Sequence, residues 1–280
     1  MVEQPQITFG ERLRRAGAAH GRLCVGIDPH AALMEQWGLS SDVRGLAAFT
    51  EICVEAFAGN TALVKPQVAF YESYGSSGFA ILEDAIAHLR DAGTLVLADA
   101  KRGDIGSTMA GYATAWLNDA SPLCCDAVTV SPYLGYGSLK PVLDIAEQKN
   151  RGVFVLAATS NPEARALQDQ QDSQGRTISQ QIVDSVAQTN SRHAEAGGAG
   201  NIGVVVGATL AEPPQLSQLA GPVLLPGVGA QGATAEDISR ITEGIKDLAF
   251  PNISRAILAQ GPSVAALKEA AALAVLDFRD

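Results

Sequence analysis

The sequence predicts an α/β fold, a single-domain (β/α)8 TIM barrel, and three observations support this prediction. Eight short runs rich in Val, Leu and Ile recur along the 280 residues. The runs are continuously apolar, which is typical of parallel strands buried on both faces. Stretches with apolar residues at three- to four-residue spacing, as in amphipathic helices, lie between them. Because no Pro- or Ser-rich linker divides the chain, the units fit one closed barrel.

The predicted strands follow one another at intervals that leave room for a helix after each. They are residues 23–28, 62–67, 95–100, 127–132, 153–160, 202–209, 222–228 and 253–258. An open, doubly wound sheet is the alternative arrangement. That fold normally carries a Gly-rich dinucleotide turn after its first strand, whereas this first strand ends in Ile27-Asp28-Pro29-His30. The barrel is therefore favoured.

Two segments lie outside this regular alternation. A helix is predicted at about residues 8–16, before the first strand. The connection at about residues 161–177, after the fifth strand, is rich in Gln and Asp and is longer than most such connections. A lid over an active site and a solvated surface insertion both fit its composition.

Composition and charge exclude several classes of protein. Hydrophobic residues make up 47% of the chain and charged residues 18%, so we expect a soluble globular fold rather than disorder or a coiled coil. The net charge of −10 repels nucleic-acid phosphates and anionic membranes, so we expect neither as a partner. No run approaches the roughly 18 apolar residues of a membrane span. The cysteines (Cys24, Cys53, Cys124 and Cys125) lack zinc-ligand spacing, which predicts reduced thiols and a cytoplasmic location.

Charged residues cluster at the end of the third predicted strand. Asp99 and Lys101 lie two residues apart, so we expect their side chains on the same face, and Asp104 follows in the next connection. A structural salt bridge needs one acid and one base, whereas this cluster has two acids. Because barrel enzymes carry their catalytic residues at the C-terminal ends of the strands, the cluster predicts an active site.

Other strand ends carry polar groups as well. Asp28 closes the first predicted strand, Lys65 lies in the second, and Thr159 and Ser160 close the fifth. Each alone has an ordinary explanation, since Asp28 could begin a turn and Lys65 could extend to solvent. Together they predict side chains that converge on one site.

The end of the seventh predicted strand indicates a phosphate-binding site. It runs into a Gly-rich turn at residues 226–232, and Arg255 follows in the predicted eighth strand. Glycines let the backbone N–H groups approach an anion, and barrels commonly bind phosphate with the loops after strands seven and eight. The four histidines are scattered without ligand spacing, so we expect no metal site.

Several motifs in order resemble one family, orotidine 5′-phosphate decarboxylase, and in particular its longer bacterial (type 2) subgroup. They are CVGIDPH (24–30), VKPQVAFYESYG (64–75), DAKRGDIGST (99–108), VLAATSNPE (155–163) and LLPGVGAQGAT (224–234). The similarity runs from about Phe9 to Leu258. The D-x-K-x-x-D pattern alone is shared with other phosphate-binding barrels, whereas the full set of motifs is much more specific. The resemblance implies a lyase that converts orotidine 5′-phosphate to UMP and CO2, the last step of de novo pyrimidine nucleotide biosynthesis.

The resemblance also implies a role for each catalytic residue. Lys101 would donate the proton, and Asp99 and Lys65 would flank it in an alternating charge network that Asp104 completes. In this family the active site is shared across a homodimer, so Asp104 and Thr108 would come from the opposite subunit.

The same resemblance assigns the residues that bind the substrate. Asp28 and Lys65 would contact the ribose hydroxyls. Ser160, or Thr159 beside it, would contact the pyrimidine. Gln231 and Arg255 would hold the 5′-phosphate.

The implied chemistry explains why charged residues and no cofactor are expected. Loss of CO2 leaves an electron pair on C6 of the pyrimidine, where the ring delocalises it poorly. The sequence contains no recognisable site for a metal, pyridoxal or thiamine electron sink. A fixed ammonium group can stabilise the carbanion directly, and nearby carboxylates favour the charged form of that amine.

Three other functions remain open from the residues alone. A metal-assisted sugar-phosphate decarboxylase or synthase would share D-x-K-x-x-D but would need another acidic ligand near strand two, where this chain has Lys65. A Schiff-base aldolase would need a neutral lysine. A non-catalytic nucleotide-binding barrel could retain the phosphate site alone.

Overall fold

The fold is a closed parallel barrel, seen in a computed structural model that describes residues 7–228 and 232–278. Within these ranges eight parallel strands pair in chain order, and β1 pairs with β8 to close the sheet. The strands are β1 (Cys24–Ile27), β2 (Leu63–Pro66), β3 (Leu95–Arg102), β4 (Ala127–Val130), β5 (Gly152–Ala158), β6 (Ile202–Val206), β7 (Val223–Pro226) and β8 (Ala249–Ile253). The predicted fold class, a (β/α)8 TIM barrel, is confirmed.

Helices alternate with the strands around the outside of the barrel. They are α1 (Phe9–His20), α2 (Ala31–Gln36), α3 (Val43–Phe57), α4 (Val68–Glu72), α5 (Gly75–Asp91), α6 (Gly106–Leu117), α7 (Lys140–Lys149), α8 (Arg165–Gln168), α9 (Ile178–Glu195), α10 (Ala235–Ile241), α11 (Arg255–Leu258) and α12 (Val264–Leu276). Three helices are capped at their N-termini by Thr8, Thr177 and Thr234. In each case the threonine hydroxyl accepts the backbone N–H of the residue three positions later. In the described part of the chain, no helix combines the length and apolar character that a membrane crossing requires.

The prediction for the eighth strand is wrong in position. Residues 253–258 were expected to form it, but β8 ends at Ile253 and Arg255 opens the short helix α11. The strand was not recognisable because it contains Pro251 and Asn252. Asn252 is buried, and its side-chain amide donates to the Cys24 carbonyl at 3.1 Å. The apolar run after it reflects Ile257 and Leu258, which α11 buries against the core.

The barrel has two apolar layers, one outside and one inside the sheet. The larger layer packs the helices against the outer face of the strands. The inner layer contains Leu63, Leu97, Ala127, Phe154, Leu224 and Phe250 from the strands, with Phe9 and Leu13 from α1. Helix α1 therefore covers the N-terminal end of the barrel. The ring of Phe9 meets that of Phe154 edge-to-face at a centroid distance of 6.0 Å.

Polar contacts hold α1 in this position. The Phe9 N–H donates to the Asn201 side chain at 2.7 Å. The Arg12 guanidinium donates to Asp126 Oδ1 at 3.0 Å, and Arg151 donates to the same oxygen at 3.2 Å. Asp126 is buried just before β4, and its other oxygen accepts the Val96 N–H at 3.1 Å. Both apolar and ionic contacts thus hold α1 against the N-terminal end of the barrel, opposite the C-terminal rim.

We expect Phe9→Ala to lower the free energy of unfolding by about 3–5 kcal/mol, because it opens a cavity between α1 and the barrel interior. Urea denaturation followed by circular dichroism measures the change. Arg15→Ala on the exposed face of α1 is the matched control and should change stability by less than about 0.5 kcal/mol. Equal effects of the two variants would contradict the role given to Phe9.

Candidate active site

Four of the predicted residues converge at the C-terminal rim of the barrel. Asp28 directly follows β1, Lys65 lies in β2, and Asp99 and Lys101 lie in β3. Lys65 is 4% exposed and Asp99 is 8% exposed, whereas the Lys101 side chain is 45% exposed. The rim therefore has a buried ion pair beneath an accessible lysine.

Asp99 connects the two lysines. Its Oδ2 accepts from Lys65 Nζ at 2.9 Å, and its Oδ1 accepts from Lys101 Nζ at 2.5 Å. Lys65 Nζ also donates to Gln67 Oε1 at 3.0 Å and lies 3.9 Å from Asp28 Oδ1. The charges therefore alternate from Asp28 through Lys65 and Asp99 to Lys101.

The network keeps its buried members charged. Burial alone would raise the pKa of Asp99, but Lys65 and Lys101 attract and hydrogen-bond the carboxylate and hold its pKa well below the usual range. Burial alone would lower the pKa of Lys65, but the carboxylates of Asp99 and Asp28 raise it above its ordinary value. The Asp99 carboxylate and the Lys65 ammonium are thus both charged at neutral pH.

Thr129 belongs to this cluster and was missed in the sequence. It lies in β4, is 1% exposed, and its hydroxyl donates to Asp99 Oδ1 at 2.9 Å. The Thr129 hydroxyl oxygen itself accepts the backbone N–H of Lys101 at 2.9 Å. The signal that could have found it is a single hydroxyl in the otherwise apolar run Ala127–Val130.

Asp28 has an oxygen with unused hydrogen-bonding capacity. Its Oδ1 is buried and accepts no hydrogen bond from the described residues. Close packing surrounds it, because a Cβ added to Gly26 would lie 1.9 Å from Ser254 Oγ and 3.3 Å from this oxygen. The Asp28 side chain as a whole is 16% exposed, so part of it remains accessible at the rim although Oδ1 is buried.

Asp104 and Thr108 lie on the connection and helix that follow β3. Asp104 Oδ1 accepts the N–H of Ile105 at 2.8 Å, and Thr108 is exposed in the first turn of α6. Among the described residues of one chain, no ion pair joins Asp104 to Lys101. A single chain thus brings Lys65, Asp99 and Lys101 together but leaves Asp104 outside their network.

The segment after β5 is held by the long connection that follows it. Gln168 Oε1 accepts the Thr159 N–H at 2.8 Å, and Gln168 Nε2 donates to Thr159 Oγ1 at 3.1 Å. Arg165 donates to the Thr159 carbonyl at 2.7 Å and to Gln168 Oε1 at 2.9 Å. These contacts fix the backbone beside Ser160, which is half-buried.

The predicted phosphate site is only partly described. Arg255 is exposed at the start of α11, and the turn after β7 contains Gly227 with φ +103° and Gly232 with φ +87°. Both angles favour glycine. Gln231 lies outside the described residues.

Within residues 7–228 and 232–278, no group of three or more His, Cys, Asp or Glu side chains is arranged to hold a metal ion. Asp28 and Asp99 are instead paired with lysines. The Lys65 ammonium lies between Asp28 and Asp99.

Comparison with known proteins identifies the family. A model of the orotidine 5′-phosphate decarboxylase / HUMPS family matches residues 21–270. The chain belongs to this family. Orotidine 5′-phosphate decarboxylase of Corynebacterium glutamicum (strain R) is 63% identical over 272 residues, covering 97% of this chain and 98% of that protein. The enzyme of that name from Corynebacterium efficiens is 64% identical over 271 residues and covers 97% of each chain.

A solved structure agrees with the sequence comparisons. The crystal structure assigned to orotidine 5′-phosphate decarboxylase of Streptomyces avermitilis superposes with a TM-score of 0.92 at 46% identity, covering 100% of this chain and 97% of that one. The family expected from the sequence motifs is therefore confirmed.

We expect Asp99→Asn to lower the free energy of unfolding at pH 7 by about 3–5 kcal/mol, because it leaves the buried Lys65 ammonium without its closest anion. The pKa of Asp99 is lower in the folded chain than in the unfolded one. Its carboxylate therefore stabilises the fold above about pH 4, and this contribution is lost as the pH falls below that value. The stability difference between wild type and variant should narrow on acidification.

Urea denaturation at several pH values measures this difference. Asp144→Asn is the control, since Asp144 pairs with Lys140 on the exposed surface and should contribute about 0–1 kcal/mol. A cost for Asp99→Asn no larger than that of the control would contradict the analysis of the buried pair.

Proposed function

We propose that this chain decarboxylates orotidine 5′-phosphate to UMP and CO2 without a cofactor, the last step of de novo pyrimidine nucleotide biosynthesis. The observation that carries the proposal is the accessible Lys101 ammonium, held 2.5 Å from a buried Asp99 carboxylate at the rim of the barrel. Relatives more than 60% identical over almost the whole chain carry the name of this enzyme.

Lys101 supplies the electrostatics and the proton. The bond between C6 and the carboxylate carbon breaks, its electron pair stays on C6, and CO2 leaves. Two unit charges about 4 Å apart interact by roughly 4 kcal/mol at an effective dielectric constant near 20, so the ammonium lowers the barrier as negative charge develops on C6. Lys101 then transfers its proton to C6, which gives UMP, and takes a new proton from solvent.

The remaining rim residues bind the nucleotide. Asp28, whose side chain is 16% exposed at the rim, and Lys65 contact the ribose hydroxyls. Ser160, or Thr159 beside it, contacts the pyrimidine. Gln231 and Arg255 hold the 5′-phosphate. Binding energy from the phosphate orients the remote C6 carboxylate over Lys101.

The ion pairs favour this reaction over its alternatives. A metal-assisted sugar-phosphate enzyme needs carboxylates free to bind a divalent cation, but here the Lys65 ammonium lies between Asp28 and Asp99. A Schiff-base aldolase needs a neutral amine, whereas Lys101 is hydrogen-bonded to an ionised carboxylate.

The active form is a homodimer in which Asp104 and Thr108 reach the neighbouring subunit's site. Exposed apolar side chains on the rim beside Asp104 support this arrangement: Ile105 is 62% exposed, Tyr133 78% and Leu134 53%. Such side chains next to polar site residues are typical of a surface that a second copy covers. The chain works in the cytoplasm, which its four free cysteines support.

We expect Lys101→Ala to lower kcat by at least about 1,000-fold while UMP still binds, because the variant loses the charge and the proton donor but keeps the other contacts. The decrease in absorbance as orotidine 5′-phosphate is consumed measures turnover, and calorimetry measures UMP binding. Lys140→Ala, on the exposed surface, is the control. Near-normal decarboxylation by Lys101→Ala would contradict the proposed role.

A sample that contains Lys101→Ala and Asp104→Ala subunits should regain activity, although each variant alone is inactive. A mixed dimer has one site with both changes and one site with neither, so about one quarter of all sites should work after random pairing. Co-expression and the same assay test this. Lys101→Ala paired with Asp99→Ala is the control, because both residues come from the same subunit and no site is restored. Equal recovery in the control, or none in the first pair, would contradict the shared site.

A further inference from the structure

The hydroxyl of Thr129 lies in the charged cluster of the rim but has no role in the proposed reaction as described above. We infer that Thr129 is a positioning residue for the decarboxylation, because its hydroxyl fixes the backbone of Lys101 and the rotation of the Asp99 carboxylate. This inference rests on the proposed function.

The backbone at Lys101 departs from regular strand geometry. Ala98 of β3 is in register with Val128 of β4, but the next paired residues are Arg102 and Val130. Three residues of β3, Asp99, Ala100 and Lys101, thus lie opposite the single residue Thr129 of β4 and form a bulge. Bulges of this kind re-aim side chains next to active sites.

The bulge places Lys101 in an unfavourable conformation. Its φ is +48°, in the left-handed region that a lysine rarely adopts. Its N–H has lost a regular ladder partner, and the Thr129 hydroxyl accepts this N–H at 2.9 Å instead. The side-chain oxygen of Thr129 thus substitutes for a strand carbonyl at the position that carries the proton donor.

The direction of each hydrogen bond follows from the groups involved. The Lys101 N–H can only donate, and the ionised Asp99 carboxylate can only accept. The Thr129 hydroxyl therefore accepts the Lys101 N–H and donates its single proton to Asp99 Oδ1. Because Lys65 holds Asp99 Oδ2, the carboxylate is fixed at both oxygens. Its Oδ1 then remains directed at Lys101 Nζ.

Packing alone does not require a hydroxyl at this position. Thr129 is 1% exposed between Val128 and Val130, and valine has nearly the same shape. A buried hydroxyl costs free energy unless it is hydrogen-bonded, and both of these hydrogen bonds go to site residues. A threonine at position 129 is thus explained by its two hydrogen bonds, one with the Lys101 N–H in the bulge and one with the Asp99 carboxylate.

Two substitutions separate the hydroxyl from the methyl group. Thr129→Val keeps the shape and removes the hydroxyl, so we expect kcat for orotidine 5′-phosphate to fall by about 10- to 100-fold, as for a lost hydrogen bond to a charged group. UMP binding should change less than about threefold, because Thr129 need not contact the nucleotide. Thr129→Ser keeps the hydroxyl and should retain kcat within about threefold, although the lost methyl group lowers the unfolding midpoint.

Thr61→Val is the matched control, since Thr61 is a buried threonine at the other end of the barrel whose hydroxyl donates to the Phe57 carbonyl. It should leave kcat unchanged. A wild-type kcat in Thr129→Val, or losses of kcat that follow stability in both Thr129 variants, would overturn the inference while leaving the proposed function intact. An inactive wild type in the same assay would overturn the proposed function and this inference with it.

Discussion

The organisation of the rim depends on the single buried carboxylate of Asp99. It accepts hydrogen bonds from Lys65 on β2, Lys101 on β3 and Thr129 on β4, so three neighbouring strands meet at one anion. Removing a carboxylate from water is costly, and two ammonium groups offset that cost here. The arrangement is stable only when all partners are present, which makes strand register and site geometry interdependent.

The barrel divides its ends between chemistry and stability. At the C-terminal rim, some charged groups are accessible to solvent or lack a hydrogen bond. The Lys101 side chain is half-exposed, and the buried Oδ1 of Asp28 accepts no hydrogen bond from the described residues. At the N-terminal end, the Asp126 carboxylate accepts hydrogen bonds at both oxygens, from Arg12, Arg151 and the Val96 N–H. Phe9 fills the interior beside Phe154. This division is typical of barrel enzymes, in which the loops of one face vary without disturbing the core.

Sequence patterns predicted most of the fold and the central part of the site. Buried parallel strands are continuously apolar, so seven of the eight runs coincide with observed strands, while the eighth shares only Ile253 with β8. The position of Asp99 and Lys101 at a strand end predicted their convergence. The position of the eighth strand was not predicted because Pro251 and Asn252 interrupt its apolar pattern.

The role of Thr129 was not predicted either. Its partners are fixed by a β-bulge, and residue spacing along one strand does not reveal pairing with the next. The contacts of Gln168 with Thr159 likewise depend on how a long connection folds back.

The apolar side chains with which α1 closes the N-terminal end of the barrel have a consequence for the carbon dioxide that the proposed reaction releases. Side chains from Leu97, Phe154 and Phe250 fill the space beneath the rim, and Phe9 and Leu13 close it from below. Among the residues that the structure describes, apolar side chains thus occupy the barrel interior and close its N-terminal end. In the proposed reaction, carbon dioxide formed above Lys101 would therefore leave at the C-terminal rim, the end at which the nucleotide enters.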